Sequence, residues 1–431
     1  MELLDNAFEI ASASLRYGLG ATREVGLDLK DLGLRRVLIL TDPNLANLQP
    51  IHTVCESLNS SRIDYDVFDK VRIEPSDQSL KDAIDVAARE RYEGFVAVGG
   101  GSTIDTAKAA NLYSTYPADL LTYVNAPLGG GQPVPGPLKP LIAIPTTAGT
   151  GSETTGVAIF DMEATKAKTG IAHRRLKPTL GIVDPENTKT LPPFVTASTG
   201  LDVLCHALES YTALPYDQRK RPERPALRPA YQGSNPISDI WAIKTISMVN
   251  RYLIRAFRDT NDIEARSQML LASCYAGMGF GNAGVHLCHG MSYPVSHASR
   301  NYQPSGYPTG RSLVPHGISV ILNAPAVFRF TADSCSDRHL HAARLLGVPT
   351  DDATSEQAGD LLATKILSLM SELGVPNGLK GVGVTQSDIP NLVEGTLPQH
   401  RVIKLSPKPI EGKDLTKLFE ASMTLWPEDE R

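Results

Sequence analysis

Asp202 and His206 lie four residues apart in a stretch whose apolar positions, Leu201, Leu204, Cys205 and Leu208, recur at helical spacing. On a helix, residues i and i+4 share a face one turn apart, so this carboxylate and imidazole can grip one cation. Downstream, His286, His289, His297 and His316 gather four of the ten histidines between positions 286 and 316. His316 stands in Leu-Val-Pro-His-Gly, where proline and glycine constrain the backbone on either side of the ring. Asp202, His206 and two of the later histidines would supply one carboxylate and three imidazoles, a donor set suited to Fe²⁺ or Zn²⁺. An isolated Asp-x-x-x-His is more commonly a pair on a helix surface, and spacing alone does not select the two later histidines.

A second chemistry is written earlier in the chain. Residues 99–108 (GGGSTIDTAK) follow the apolar run 95–98 and open a helix-like stretch. Gly99, Gly100 and Gly101 let backbone approach a ligand, and the free N–H groups of a helix start suit a pyrophosphate. The spacing is not Gly-x-Gly-x-x-Gly, so a tight structural turn would explain it as well. Asp42 ends another apolar run, residues 37–41, where a carboxylate can accept from an adenosine ribose and repel a 2′-phosphate. Alone, it is an ordinary cap of Asp-Pro-Asn. Residues 144–153 (IPTTAGTGSE) place Thr146, Thr147, Thr150 and Ser152 around two glycines, a turn able to wrap phosphate and ribose. Three such turns, each after an expected strand, lie together at one edge of a parallel sheet, where open α/β folds bind ligands. Nucleotide binding is the expectation.

These groups need elements to hold them. Strands are expected at residues 37–41, 64–68, 95–98 and 141–144, with a helix over 77–91 and another after Ser102, the alternation of βαβ units. Beyond Pro192-Pro193 the stretches 197–212, 238–258, 262–278, 357–373 and 414–426 read as helices. The expected organisation is an α/β dinucleotide-binding domain, residues 1–190, with a Rossmann-like parallel sheet, then an all-helical domain, residues 191–431, for metal and substrate. Residues 216–236, with five basic residues and four prolines, read as a long surface loop.

Composition narrows the function. The 431 residues are 42% hydrophobic and 21% charged, which is globular composition. With 42 basic and 47 acidic residues the net charge is −5, so nucleic acid is not expected as a partner. No apolar run reaches the ~18 residues that span a bilayer, so no membrane is expected either. Five scattered cysteines without a Cys-x-x-Cys pair read as buried thiols in a reducing compartment. The opening MELLDNAFEI, acidic and without an early arginine, is neither a signal peptide nor a typical transit peptide. A cytoplasmic chain, or one whose presequence has been removed, is expected.

Taken in order, GGGSTIDTAK, IPTTAGTGSE, TGLDVLCHALESY (199–211), NAGVHLCHGMSYP (282–294) and LVPHG (313–317) resemble the iron-containing (group III) alcohol dehydrogenases over nearly the whole chain. RPAYQGSNPISDIWAI (228–243), GVHLCHGMSYP (284–294) and LFEASM (418–423) are similar to one branch of that family, the hydroxyacid–oxoacid transhydrogenases. The resemblance implies a dehydroquinate synthase-like fold, Fe²⁺ (with Zn²⁺ as the other candidate) and NAD(H). It implies Asp202, His206, His289 and His316 as metal ligands and so as the catalytic centre, with His286 as a neighbour. It implies cofactor contacts at Asp42, Gly99, Gly100, Gly101, Ser102, Asp105, Thr146, Thr147, Thr150, Ser152 and Lys168. Tyr293 departs from the pattern: it stands where many members carry a second histidine, so a histidine relay is not expected there.

The implied reaction is hydride transfer between a carbinol carbon and nicotinamide, beside a cation that favours the ionised hydroxyl. In the transhydrogenase branch one bound NAD serves both halves: 4-hydroxybutyrate and 2-oxoglutarate give succinate semialdehyde and 2-hydroxyglutarate. The alternative is a conventional NAD-dependent iron-containing alcohol dehydrogenase or aldehyde reductase in a specialised biosynthetic pathway, acting on an alcohol or aldehyde and releasing its cofactor. A non-enzymatic nucleotide-binding protein is disfavoured by the complete ligand set. Carboxylate substrates want a cation, which one of the five basic residues in 219–228 could supply; a solvated surface loop explains the stretch at least as well. Mitochondrial location and a homodimer are implied by the resemblance alone.

Overall fold

The structure, a computed structural model, describes residues 3–164, 167–308, 310 and 312–427. Its first unit, Ala11–Leu191, is built on strands β1 (Ser14–Tyr17), β2 (Arg36–Leu40), β3 (Asp64–Phe68), β4 (Gly94–Gly99) and β5 (Leu141–Pro145). After an antiparallel hairpin, β6 (Val157–Met162) and β7 (Ala167–Ala172), comes β8 (Leu180–Val183). Among the described residues the main sheet has the order β1-β8-β5-β4-β2-β3, with every neighbouring pair parallel.

Alternation along the strands builds two apolar layers, because successive side chains leave opposite faces. Val37, Ile39, Val96, Val98, Ile142 and Ile144 pack with α1 (Val25–Asp31) and α2 (Gln49–Ser61). Leu38, Leu40, Phe95, Ala97, Leu141 and Ala143 pack with α3 (Asp77–Arg89) and α4 (Gly101–Thr115). The strands expected near 37, 64, 95 and 141 are present. β1 and β8 were not expected, nor was the β6–β7 hairpin.

The other unit comprises Met1–Ile10 and Pro192–Arg431. Its helices are α5 (Pro193–Thr212), α6 (Pro236–Arg258), α7 (Ile263–Ala283), α8 (Leu287–Ala298), α9 (His316–Ile321), α10 (Ala324–Thr331), α11 (Ser336–Leu345), α12 (Ala358–Glu372), α13 (Ile389–Thr396), α14 (His400–Ile403) and α15 (Gly412–Ser422). α5 packs against α6, α7 and α9, and every residue from Gly200 to Thr212 is buried. None of the helices in the described residues is long and apolar enough to cross a membrane.

Two expectations are corrected. The first ten residues do not belong to the α/β unit, whose expected span was 1–190. Asp5 accepts hydrogen bonds from Arg219 (2.6 Å) and Arg228 (2.9 and 3.1 Å), and Glu9 exchanges bonds with the Gln232 side chain (2.9 and 2.7 Å). These contacts fasten the segment to the helical unit. The last helix stops at Ser422 and does not continue to Trp426; the backbone N–H groups of Leu425 and Trp426 are taken by the Asn377 side chain at 2.9 and 3.1 Å.

Candidate metal centre and nucleotide site

A helix buried on all sides has no solvent to stabilise its polar residues, so Asp202, His206 and Glu209 on α5 must find partners inside. Their i, i+4, i+7 spacing puts them on one face. Asp202 Oδ1 faces three imidazoles: His206 Nε2 at 3.8 Å, His289 Nε2 at 3.5 Å and His316 Nε2 at 3.9 Å. Donor atoms of Asp202, His206 and His289 all lie within 4.8 Å of one another. Asp202 Oδ1 and His289 Nε2 are buried without a hydrogen-bond partner. The close donors of Asp202, His206 and His289, with His316 Nε2 within 3.9 Å of the same carboxylate oxygen, fit a divalent cation, which would satisfy the unpartnered atoms. The helix-surface alternative for Asp202 and His206 is excluded by burial.

Each ring is held from behind. His206 lies flat on Phe280, with centroids 3.9 Å apart and planes 9° apart. His289, in the first turn of α8, hydrogen-bonds through Nδ1 to Glu209 Oε2. Glu209 Oε1 accepts from the backbone N–H of His286 (3.0 Å) and Cys288 (2.8 Å), so one carboxylate caps α8 and orients its histidine. His316 begins α9 behind Pro315. A Cβ on the next residue, Gly317, would lie 2.0 Å from the Ser198 carbonyl oxygen and 3.0 Å from Asp202 Cβ, so only glycine lets α9 come close enough to α5. His316 keeps 25% of its side chain exposed while its three companions are buried, which makes it the open side.

Electrostatics follow the geometry. Burial opposes ionisation of Asp202, yet His206, His316 and His289 hold its carboxyl well below the usual range. Burial pushes His206 down to about 3, against the pull of Asp202, so it stays neutral and able to ligate. Burial opposes a charge on His289 as well, but Glu209 and Asp202 on its two sides draw its pKa up. His286, pushed by burial down to about 4, hydrogen-bonds Thr212 Oγ1 through Nε2 at 3.0 Å and stands behind the cluster as a neighbour.

In the α/β unit, the turns after β2, β4 and β5 sit at the same end of three adjacent parallel strands. Asp42 is there, with Oδ1 accepting from Asn44 N (2.9 Å) and Asn44 Nδ2 (3.0 Å), the cap of its own turn. Gly99, Gly100 and Gly101 lead into α4, and Thr146 donates its N–H to the Gly99 carbonyl at 3.1 Å. Thr147 and Thr150 press on this turn: a Cβ on Gly101 would lie 2.6 Å from Thr150 Cγ2. Ser102 Oγ accepts from the Glu74 N–H at 3.1 Å. Lys168, on β7, is paired with Glu74 and, at 3.3 Å, with Asp161.

Asp105 and Ser152 belong to a buried knot around Lys108. Lys108 Nζ donates to Ser152 Oγ (2.5 Å), Asp105 Oδ1 (3.3 Å) and the Val157 carbonyl (2.7 Å), while Asp105 Oδ2 accepts from Ile159 N at 2.9 Å. Burial lowers the Lys108 pKa. Sequence reasoning missed Lys108 and Glu209 as organisers. The signal for Glu209 was present, since it continues the face of Asp202 and His206. The arginine-rich residues 219–228 are not the free cationic loop expected: Arg219 and Arg228 both bind Asp5.

The family description "Iron-containing alcohol dehydrogenase" matches residues 12–185, and "Fe-containing alcohol dehydrogenase family, C-terminal" matches residues 230–423. The chain is 56% identical over 424 residues to the mitochondrial hydroxyacid-oxoacid transhydrogenase of Bos taurus, covering 98% of this chain and 91% of that one. Among solved structures it is similar to an alcohol dehydrogenase from Oenococcus oeni (TM-score 0.84, 27% identity, 96% of this chain and 100% of that chain). It is also similar to a sulfoacetaldehyde reductase from Bifidobacterium kashiwanohense in complex with NAD⁺ (TM-score 0.79, 25% identity, 98% and 100%).

Proposed function

This chain belongs to the iron-containing alcohol dehydrogenase family, and from that premise we propose that it is a hydroxyacid–oxoacid transhydrogenase. It is an oxidoreductase, moving hydride between a hydroxy acid and NAD and from NAD to an oxo acid. The observation that carries the reading is the convergence of His206, His289 and His316 on Asp202 Oδ1, with the buried atoms there left unpartnered. These four residues would hold Fe²⁺, the metal of the family, although the same donors suit Zn²⁺. When bound, the cation supplies Lewis acidity, favouring the ionised hydroxyl of a hydroxy acid and polarising the carbonyl of an oxo acid.

The rest is done by the chain. Glu209 would keep a proton on His289 Nδ1 when the cation is bound, which leaves Nε2 as the nitrogen turned to Asp202. Phe280 holds the plane of His206. The N–H groups opening α4, with Gly99, Gly100, Gly101 and Ser102, would receive the pyrophosphate, and Thr146, Thr147 and Thr150 would line the facing turn. Asp42 would accept from the adenosine ribose, which favours NAD over its 2′-phosphorylated form. We assign no direct cofactor contact to Asp105 and Ser152, whose bonds go to Lys108, β6 and each other; their role is to brace the turn.

With NAD bound, 4-hydroxybutyrate would be oxidised to succinate semialdehyde by loss of a hydride from its hydroxyl-bearing carbon and of the hydroxyl proton to water. 2-Oxoglutarate would then take a hydride at its oxo carbon and a proton from water to become 2-hydroxyglutarate, so that the two halves balance. The curated relatives carry "mitochondrial" in their names, and we extend that compartment to this chain.

The test uses protein reconstituted anaerobically with Fe²⁺ and no added NAD. It is given 4-hydroxybutyrate with and without 2-oxoglutarate, and 2-hydroxyglutarate is read by mass spectrometry. Product that requires both acids is the expected result. No product, together with free NADH from an alcohol and added NAD, would make this a conventional dehydrogenase.

A further inference from the structure

The two acids of the proposed exchange share a spacing. In 4-hydroxybutyrate the reacting carbon is joined through two methylenes to a carboxylate. In 2-oxoglutarate the oxo carbon is likewise joined through two methylenes to the distal carboxylate. One cation set beside the metal ligands would therefore serve both halves of the reaction. Arg219 and Arg228 are already paired with Asp5 and do not fill that role.

Arg401, on α14, has the properties required. Its Nη2 donates to Tyr293 Oη at 2.8 Å, and its guanidinium lies over the Tyr231 ring, 4.9 Å from the centroid. Its Nη1 is buried and has no hydrogen-bond partner. Among the described residues no carboxylate lies within ion-pair distance of it, and its polar neighbours are the two tyrosines. A guanidinium is charged at any pH a protein survives, and burying one without an anion is costly. Such a group is set to receive an anion.

Both tyrosines lead to the candidate metal ligands. Tyr293 is four residues beyond His289 on α8, and its ring lies 6.5 Å from that of His316. Tyr231 meets Phe280 edge-on at 6.4 Å, and Phe280 stacks on His206. Arg401 thus sits one aromatic ring away from His316 on one side, and on the other reaches His206 through two.

We propose that Arg401 binds the carboxylate shared by the hydroxy acid and the oxo acid through its unpartnered Nη1, with Tyr293 and Tyr231 holding the guanidinium in place. The assignment rests on the transhydrogenase reading and names its specificity residue. It also gives Tyr293, the departure from the family's histidine, a function: it orients the carboxylate-binding arginine.

The test compares 4-hydroxybutyrate with its neutral amide, 4-hydroxybutanamide, in the Fe²⁺-loaded enzyme with 2-oxoglutarate present. The native enzyme is expected to favour the acid by about 30-fold in kcat/KM, the order of one charge-assisted hydrogen bond, and mostly through KM. In Arg401→Met this preference collapses, and Arg401→Lys restores part of it. Equal kcat/KM for acid and amide in the native enzyme overturns the proposal without any variant, so a misfolded Arg401→Met leaves it testable. Retention of the native preference in Arg401→Met overturns it too. Failure of the underlying reading looks different: the native enzyme then makes no 2-hydroxyglutarate from the pair of acids at all.

Discussion

Glu209 joins two jobs in one carboxylate: its Oε2 binds His289 Nδ1 while its Oε1 accepts the first N–H groups of α8. An acid at a helix N-terminus is favoured by the dipole as well as by these bonds. The helix that carries His289 and the orientation of the ring are therefore set by the same group. In Glu209→Gln the amide can still cap α8, but its NH₂ faces a ring nitrogen that is itself a donor. Fe²⁺ affinity, measured by competition with a chelator, is expected to fall by about 10–100-fold. Unchanged affinity would mean that the ring is held by its own rotamer alone.

Lys108 makes a different kind of prediction, about stability. Its ammonium is fully buried and joins Asp105, Ser152 and the Val157 carbonyl. Lys108→Met leaves the Asp105 carboxylate without its cation, and denaturant unfolding is expected to show a loss of about 3–5 kcal/mol. Adding Asp105→Asn should recover part of that loss, because the two residues are coupled. Additive losses would refute the coupling.

Gly101 tests the nucleotide turn. An alanine Cβ would stand 2.6 Å from Thr150 Cγ2 and 2.8 Å from its Oγ1, too near for either to stay in place. The turn must open, and Gly101→Ala is expected to raise the Kd for NAD by about tenfold in calorimetry. An unchanged Kd would place the cofactor away from this turn.

Much of this was legible in the chain, and the misses have physical reasons. The turn at Gly99–Gly100–Gly101 stood out because a run of β formers stops abruptly at three glycines before a helix. β1 escaped notice because Ser14–Tyr17 is four residues long, with both ends exposed, and carries no buried pattern. The β6–β7 hairpin buries the polar residues Asp161, Lys168 and Thr169, the first two as an ion pair, and so breaks the alternation a half-exposed strand would show. Metal ligation was suggested by Asp202 and His206, but a glutamate such as Glu209 in mid-helix ordinarily means solvent. Only three-dimensional packing reveals that α5 has no solvent face. Arg228 misled for the converse reason: a basic, proline-rich stretch looks solvated until Asp5, distant in sequence, is seen to close on it.

Lys177 sets a pH dependence. Burial, with Arg174 and Lys108 nearby, lowers its pKa from 10.5 to about 8. Between these values the unfolded chain holds a proton that the folded chain has released, so raising the pH favours folding. The cost of the buried charge is fully present below pH 8 and is gone above 10.5. Across that window the unfolding free energy of the native protein should rise relative to Lys177→Met by at most about 3 kcal/mol. A difference independent of pH would show that the folded lysine titrates normally.

The strap formed by Asp5 also orders events during synthesis. Its partners Arg219 and Arg228 are 214 and 223 positions downstream, whereas Ala11–Leu191 is one uninterrupted stretch. That stretch can complete its sheet on the ribosome while the residues before it have nothing yet to bind, since units emerging first tend to fold first. When the arginines arrive, the intervening chain is no longer a long flexible loop but a folded body, so the entropy lost on closure is far smaller than the sequence separation suggests. The helical unit therefore closes on its own first residues only after the stretch between them, Ala11–Leu191, has been made.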